Sequence, residues 1–305
     1  MVWNSPYFSE LCSEWWNVYG EQLSVEKKYR KRLDLDHHII PFFGDIKVSS
    51  INKKTVENFI THLREPTVSN PNGLRYATIS VIFRPLRKCL DYAVAQKYCK
   101  SNPAREVSIP KEDPTEVDVF TVDEVNRILE SCSTQWIKDM ITLAYRTGMR
   151  RGELCGLQWK DIDWEHQFLM VRRSVVDFQR QREIHGPKTK RSQRRIQLDA
   201  ESMKMLRRRQ ENAISEWVFT NTKGELAKTV CVSPYFRNAC LKAHVPPRKF
   251  HALRHTHASI LLANNVHPKI VQERLGHSSI SMTLDLYSHL IPTMQQVAVD
   301  VFDNL

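Results

Sequence analysis

Residues 147–154 read Thr-Gly-Met-Arg-Arg-Gly-Glu-Leu, and this stretch decides how the larger part of the chain is interpreted. Gly148 and Gly152 bracket two arginines, and apolar residues at helical spacing lie on both sides. A guanidinium group is always charged and offers a planar fork of donors that matches phosphate oxygens. The stretch therefore predicts that Arg150 lies between two helices, where it can bind a phosphate group.

Four further stretches follow in order: Pro-Lys-Thr-Lys at 187–190, His-Ala-Leu-Arg at 251–254, Leu-Gly-His at 275–277, and a tyrosine at 287. Together the five supply two guanidinium groups, an ammonium group, two imidazoles and a phenol, carried by Arg150, Lys188, His251, Arg254, His277 and Tyr287. Fixed positive donors stabilise the charge that develops when a phosphodiester is attacked. A phenol has a pKa of about 10, so it needs a base or a positive pocket to attack. The set suits attack on a phosphodiester by a tyrosine oxygen, with a lysine or histidine protonating the leaving group.

The order and wording of these stretches resemble the tyrosine recombinases, also called phage-type integrases, over nearly the whole chain. The resemblance implies that Arg150 and Arg254 hold the scissile phosphate. It also implies that His251 assists proton transfer or holds Tyr287, and that His277 donates a hydrogen bond to the phosphate. Tyr287 would form a 3′-phosphotyrosine, which stores the energy of the broken bond until another strand attacks it.

The resemblance gives roles to two more side chains. Lys188 would be the general acid for the leaving 5′-hydroxyl; Lys190 is a nearby competitor, but Lys188 fits the Lys-Thr wording of the family better. Glu153 occupies the family's acidic position one turn after the first arginine, where it would orient a basic side chain; a solvated helix glutamate is the alternative. The five stretches contain neither a metal cage nor a nucleotide-binding loop, so we expect no metal and no cofactor.

The charge of the chain favours a nucleic-acid partner. The formal net charge is +11 and the isoelectric point is about 9.3. Residues 1–110 carry 16 basic and 11 acidic side chains, and residues 111–305 carry 29 and 23, so the positive charge is not confined to a tail. Two basic parts suit a protein that grips double-stranded DNA with both of them.

The cysteines and the apolar runs bear on the compartment. The seven cysteines are odd in number and form no Cys-x-x-Cys pair, so neither a disulfide framework nor a zinc site is indicated. The N-terminus lacks the features of a signal peptide, and no apolar run approaches the ~18 residues of a membrane span. We expect a protein of the bacterial cytoplasm, associated with the nucleoid and without a membrane partner.

The periodicity predicts a mainly α protein with a small antiparallel β-sheet. Residues 1–110 read as four or five helices, the last from about 76 to 96, and their wording resembles the helical core-binding domain of integrases. Residues 111–118 are charged, contain a proline and show no periodicity, so we interpret them as a linker.

Residues 119–305 are expected to form the catalytic domain with a C-terminal tail helix. Thr121 and Glu124 make a capping box at its first helix, and Gly276 suits the position after a helix end. The runs FLMVRRSVV (168–176) and RRIQL (194–198) are predicted strands, with the Lys188 turn between them. This arrangement resembles the three-stranded sheet of integrases and would place the lysine on a hairpin tip.

One spacing separates related classes of recombinase. Tyr287 follows His277 by ten positions, and LGHSSISMTLDLYSHL looks like phage and conjugative-transposon integrases. Dimer resolvases of the Xer type usually have one residue fewer there. Such integrases usually carry an N-terminal arm-binding domain, whereas the core-binding helices here directly follow Met1, which predicts either a shortened form or a natural short recombinase.

The main hypothesis is a site-specific recombinase that integrates and excises a mobile element. An Xer-like dimer resolvase, a type IB topoisomerase-like strand transferase and a non-catalytic DNA-binding regulator are the alternatives. The complete set of reactive groups disfavours the regulator. The wording LDLYSHL and the apolar C-terminal tail disfavour the topoisomerase.

The C-terminal segment carries an apolar stripe at helical spacing, formed by Met294, Val297, Ala298, Val301 and Phe302. The resemblance implies that this segment docks on a neighbouring protomer within a homotetramer on paired DNA sites. A terminal helix packed against its own chain is the alternative. An accessory DNA-bending or excision factor is a further expected partner.

Overall fold

The computed structural model of the protein describes residues 5–68, 70–112, 118–179, 181–186, 193–221 and 223–287, with residues 299 and 303. The chain divides into two compact units, Met1–Thr115 and Glu116–Leu305, and each has its own hydrophobic core. No helix within these described ranges is long and apolar enough to cross a membrane.

The first unit is a bundle of helices around an aromatic core. Its helices are α1 (Phe8–Tyr19), α2 (Val25–Asp34), α3 (Ile40–Phe43), α4 (Lys53–Arg64) and α5 (Tyr76–Ala95). A π-helical turn over Leu35–Ile39 joins α2 to α3. Helix α4 begins after Asn52, whose side-chain oxygen accepts a hydrogen bond from the Thr55 N–H at 3.0 Å. Phe43 and Phe59 are fully buried, with ring centroids 5.0 Å apart.

The second unit is mainly helical and contains the candidate catalytic stretches. Its helices are α6 (Val122–Ser131), α7 (Gln135–Thr147), α8 (Arg151–Cys155), α9 (Ala200–Glu211), α10 (Thr229–Lys242), α11 (Ala252–Ala263), α12 (Pro268–Leu275) and α13 (Ile280–Tyr287). The predicted capping box at α6 is confirmed, because Thr121 and Glu124 each accept a hydrogen bond from the other's backbone N–H.

The strands of the second unit form two small antiparallel sheets. They are β1 (Ile162–Asp163), β2 (Phe168–Val171), β3 (Ser174–Phe178), β4 (Gln181–His185) and β5 (Arg194–Gln197). The order in the first sheet is β1-β2-β5, with Leu169 opposite Ile196, and β3 and β4 form a separate hairpin. The predicted fold class, mainly α with a small antiparallel sheet, is confirmed.

Two details of the strand prediction were wrong. The run 168–176 is not one strand, because Arg172 and Arg173 interrupt it and β2 and β3 belong to different sheets. Arg173 donates to the buried carboxylate of Asp161 at 2.6 Å, which anchors the irregular backbone between the two strands. Strand β4 was not predicted, because Gln-Arg-Glu-Ile-His shows no apolar alternation.

Candidate active site

Arg150 lies in a tight turn between α7 and α8. Helix α7 ends at Thr147 and is followed by Gly148, whose φ of +68° is left-handed, and Arg150 is the N-terminal flanking residue of α8. A Cβ on Gly148 would lie 2.6 Å from Leu275 Cδ2 and 2.8 Å from His257 Cδ2. The turn therefore packs directly against α11 and α12, and this packing requires glycine both for its backbone angle and for its small size.

Glu153 fixes the orientation of Arg150. The Glu153 carboxylate accepts hydrogen bonds from the Arg150 backbone N–H at 2.8 Å and from Arg150 Nη1 at 2.9 Å. It also accepts two from Arg194, at 2.9 and 2.7 Å. Burial alone would raise the pKa of Glu153, but the hydrogen bonds and charges of these arginines lower it to about 2. Glu153 is therefore a buried, ionised group shared by two guanidinium groups.

Arg254 connects the stretches that are distant in sequence. It lies on α11 with only 2% of its surface exposed. Its Nη1 donates to the carbonyl oxygen of Gly148 and its Nη2 to that of Leu275, both at 2.7 Å. The buried guanidinium of Arg254 thus links the turn before Arg150 to the end of α12 before His277. The two carbonyl oxygens in turn fix the position of its positive charge.

His277 and His251 are neutral imidazoles beside these arginines. Burial, and the positive charges of Arg254 and Arg150, lower the pKa of His277 to about 4. Its Nδ1 lies 2.8 Å from the hydroxyl of Thr283, which is fully buried. For His251, burial followed by His255 and Arg254 lowers the pKa to about 4. At neutral pH both rings can therefore donate or accept a hydrogen bond without carrying charge.

The structure brings together four of the six residues predicted to be catalytic, namely Arg150, His251, Arg254 and His277. Tyr287 is the last residue of α13, but its side chain is not among the described groups. Lys188 and its competitor Lys190 lie between β4 and β5, outside the described residues. The same holds for the five tail residues of the predicted apolar stripe.

Two further arginines belong to the site and were missed in the sequence. Arg194, on β5, binds Glu153, and Arg274, on α12, donates to the carbonyl oxygens of Gln197 and Arg146. A signal for Arg194 exists in the alternation of β5, where it shares the buried face with Ile196 while Arg195 is exposed. An arginine on the apolar face of a strand indicates a buried partner.

The first unit carries a separate basic groove between α2 and α5, of about 680 Å³. Its lining includes Lys27, Lys31, Arg84, Arg87 and Lys88. Burial, together with the charges of Lys27 and Lys88, lowers the pKa of Lys31. Asp91 and Arg105, which also line the groove, form an ion pair, so the other basic side chains leave it with net positive charge. Such a surface attracts polyanions.

No group of three or more His, Cys, Asp or Glu side chains able to hold a metal ion occurs among the described residues. The positive charge at the site comes from the arginines themselves. The chemistry available there is the binding of an anion by fixed guanidinium groups, with neutral imidazoles beside it for proton transfer or hydrogen bonding.

Comparison with known proteins gives a consistent result. The Phage integrase family matches residues 118–293, and the phage integrase N-terminal SAM-like domain matches residues 7–64. A tyrosine recombinase XerC-like protein of Caldanaerobacter subterraneus subsp. tengcongensis is 32% identical over 290 residues, covering 85% of this chain and 73% of the relative. The ICEBs1 integrase of Bacillus subtilis is 27% identical over 307 residues, covering 95% of this chain and 82% of the relative.

The fold is similar to that of a solved integrase. The Tn1549 transposon integrase, in complex with a circular intermediate DNA, superposes with a TM-score of 0.84 at 21% sequence identity. The similarity covers 98% of this chain and 100% of that one.

Proposed function

We infer that this chain, which belongs to the phage integrase family, is a tyrosine-type site-specific recombinase that breaks and rejoins the DNA of a mobile element. The family resemblance stated from the sequence is confirmed. The observation that carries the mechanism is the meeting of Arg150 and Arg254 at one turn, held by Glu153 and by backbone carbonyls. These guanidinium groups make a fixed positive site for one phosphate.

The scissile phosphate would bind between Arg150, Arg254 and His277. The Arg150 side chain is 41% exposed and can reach a ligand, whereas Arg254 is buried and contributes a charge that cannot move away. The neutral ring of His277 carries a single N–H. If Nδ1 accepts a hydrogen bond from the Thr283 hydroxyl, the proton lies on Nε2, which would donate to a phosphate oxygen. Donors fixed before the reaction stabilise the transition state without the cost of reorganising them.

In the chemical step the Tyr287 oxygen attacks phosphorus and the bond to the 5′ oxygen breaks. Lys188 gives a proton to the departing 5′ oxygen, and neutral His251 accepts the phenol proton. These roles come from the family resemblance. The lowered pKa of His251 means that the ring is uncharged and has a free lone pair before DNA binds, and a bound phosphate anion beside it would raise that pKa toward the range in which a base is effective. In the second step the 5′-hydroxyl of another strand attacks the phosphotyrosine, so the number of phosphodiester bonds is conserved.

The basic groove between α2 and α5 would bind the DNA backbone. Each chain offers a single nucleophile, Tyr287, whereas two recombining duplexes contain four strands to be cut. Four protomers on paired sites therefore supply the four tyrosines required. An accessory factor that bends DNA or promotes excision is a further proposed partner.

The test is covalent trapping on a nicked DNA that carries the end of the mobile element beside the gene. Wild-type protein should become attached to the 3′ side of the break, whereas Tyr287→Phe should bind the same DNA with similar affinity and form no adduct. An adduct that persists in Tyr287→Phe, or one on the 5′ side, would contradict the assignment of Tyr287. A recombination assay on two such DNA ends distinguishes a recombinase from a topoisomerase-like enzyme. A recombinase joins two different ends, whereas a topoisomerase rejoins the strand that it cut.

A further inference from the structure

Arg194 is enclosed to an unusual degree for an arginine. Only 5% of its side chain is exposed. Its two terminal nitrogens donate to the two oxygens of Glu153, and its Nε donates to the carbonyl oxygen of Arg274 at 2.7 Å. Burying an unpaired charge costs much free energy, so buried charges are normally paired. The role of Arg194 therefore depends on its partner.

The partner, Glu153, is shared by two arginines in different surroundings. The Arg150 side chain is 41% exposed, whereas that of Arg194 is almost fully covered. The three groups carry a net charge of +1, because one carboxylate faces two guanidinium groups. Arg194 makes two short bonds with Glu153, so the remaining positive charge lies on Arg150, at the open side of the site.

Without Arg194, Glu153 and Arg150 would form a neutral pair. The carboxylate oxygens released by Arg194 would attract the Arg150 fork, because a planar guanidinium binds a carboxylate best through two parallel hydrogen bonds. Those donors would then be directed away from the phosphate. We propose that Arg194 is a positioning residue that neutralises Glu153 and thereby keeps the charge and outer donors of Arg150 available for the scissile phosphate.

The position of Arg194 is itself fixed by the end of α12. A Cβ on Gly276 would lie 3.0 Å from Arg194 Cδ and 3.2 Å from its Nη1, so the chain before His277 packs on this side chain. Strand β5, α8 and α12 are therefore joined through one guanidinium. The inference rests on the proposed function, since it assigns a role within the same phosphate site.

The test compares Arg194→Met with the double variant Glu153→Gln/Arg194→Met, in single-turnover cleavage of the nicked DNA under saturating protein. Arg194→Met should slow cleavage roughly 10- to 100-fold, less than the loss of a group that touches the transition state. The double variant restores the net charge of +1 and should recover at least about fivefold of that loss, since neutral buried pairs are tolerated. Arg195→Met is the matched control, because Arg195 lies on the exposed face of the same strand. Its cleavage rate should stay within about threefold of wild type.

Recovery in the double variant is a readout that a purely structural role would not give. If the double variant cleaves as slowly as Arg194→Met while melting like wild type, the proposal is wrong. Should Arg194→Met fail to fold, the double variant decides alone. A rate within about twentyfold of wild type, which is the largest loss left after fivefold recovery, supports the proposal, and a greater loss overturns it. If wild-type protein forms no covalent adduct, the proposed function fails; if wild type and Arg194→Met cleave equally fast, only this inference fails.

Discussion

Gly148→Ala should destabilise the second unit strongly, although it adds one methyl group. The φ of +68° is left-handed, which costs an L-residue with a Cβ about 1–2 kcal/mol. The new Cβ would lie 2.6 Å from Leu275 Cδ2 and 2.8 Å from His257 Cδ2, inside van der Waals contact. Forcing a methyl group into a packed interior costs about 1–3 kcal/mol. Allowing for the smaller entropy of the unfolded alanine chain, the free energy of unfolding should fall by about 2–4 kcal/mol.

The measurement is urea unfolding of Gly148→Ala beside Gly186→Ala. Gly186 is the matched control, because a Cβ there would meet nothing within 4 Å, so its effect should lie within about 0.5 kcal/mol of zero. Cleavage by folded Gly148→Ala should also be slower, since the carbonyl oxygen of Gly148 accepts from Arg254 and the turn carries Arg150. A Gly148→Ala protein as stable as the control would refute the close packing of this turn against α11 and α12.

Three further outcomes follow from the charges at the site and in the chain. Stability should fall as the pH is lowered from about 7.5 toward 4, because His251 and His277 take up protons in the unfolded chain that burial and the arginines exclude from the folded one. Urea midpoints at pH 7.5 and 5 measure this fall, and replacing both histidines by glutamine should reduce it. Cleavage should proceed in EDTA, since Arg150 and Arg254 supply the positive charge that two-metal enzymes take from ions, and a strict magnesium requirement would argue against this. DNA affinity should fall steeply with salt, with a slope of log K against log salt of roughly −7 if about eight phosphates are neutralised, and a slope near zero would contradict a basic DNA interface.

The sequence predicted correctly those helix limits that are determined by residues close together in the chain. Thr121 and Glu124 cap α6 from positions three apart, and Gly276 ends α12 with a φ of +68°, as its place in Leu-Gly-His predicted. The limits of α5 also follow from its own apolar spacing. In each case the interacting groups lie within one or two turns, so the pattern contains the whole interaction.

The parts that could not be predicted depend on partners distant in sequence. Arg194 and Glu153 are separated by 41 positions, and no local pattern connects a strand arginine to a helix glutamate. The break between β2 and β3 depends on the pairing of Arg173 with Asp161, so two adjacent arginines in an apolar run were read as part of one strand. The roles of Lys188 and Tyr287 stay predictions from the motif, because the groups that carry them lie outside the described part of the chain.

The arrangement explains how so many cations can be held close together before any phosphate is bound. Arg254 donates to two backbone carbonyls, Arg194 to a carboxylate and a carbonyl, and Arg274 to two carbonyls and the ring of His257. Carbonyl oxygens carry only partial negative charge and stabilise a guanidinium without neutralising it. A carboxylate, by contrast, cancels one full positive charge. Only one carboxylate, Glu153, bonds to these arginines within the described residues, and Arg194 offsets it. The framework can therefore keep net positive charge inside a folded core, and that charge is what a phosphodiester needs in order to be attacked by a phenol.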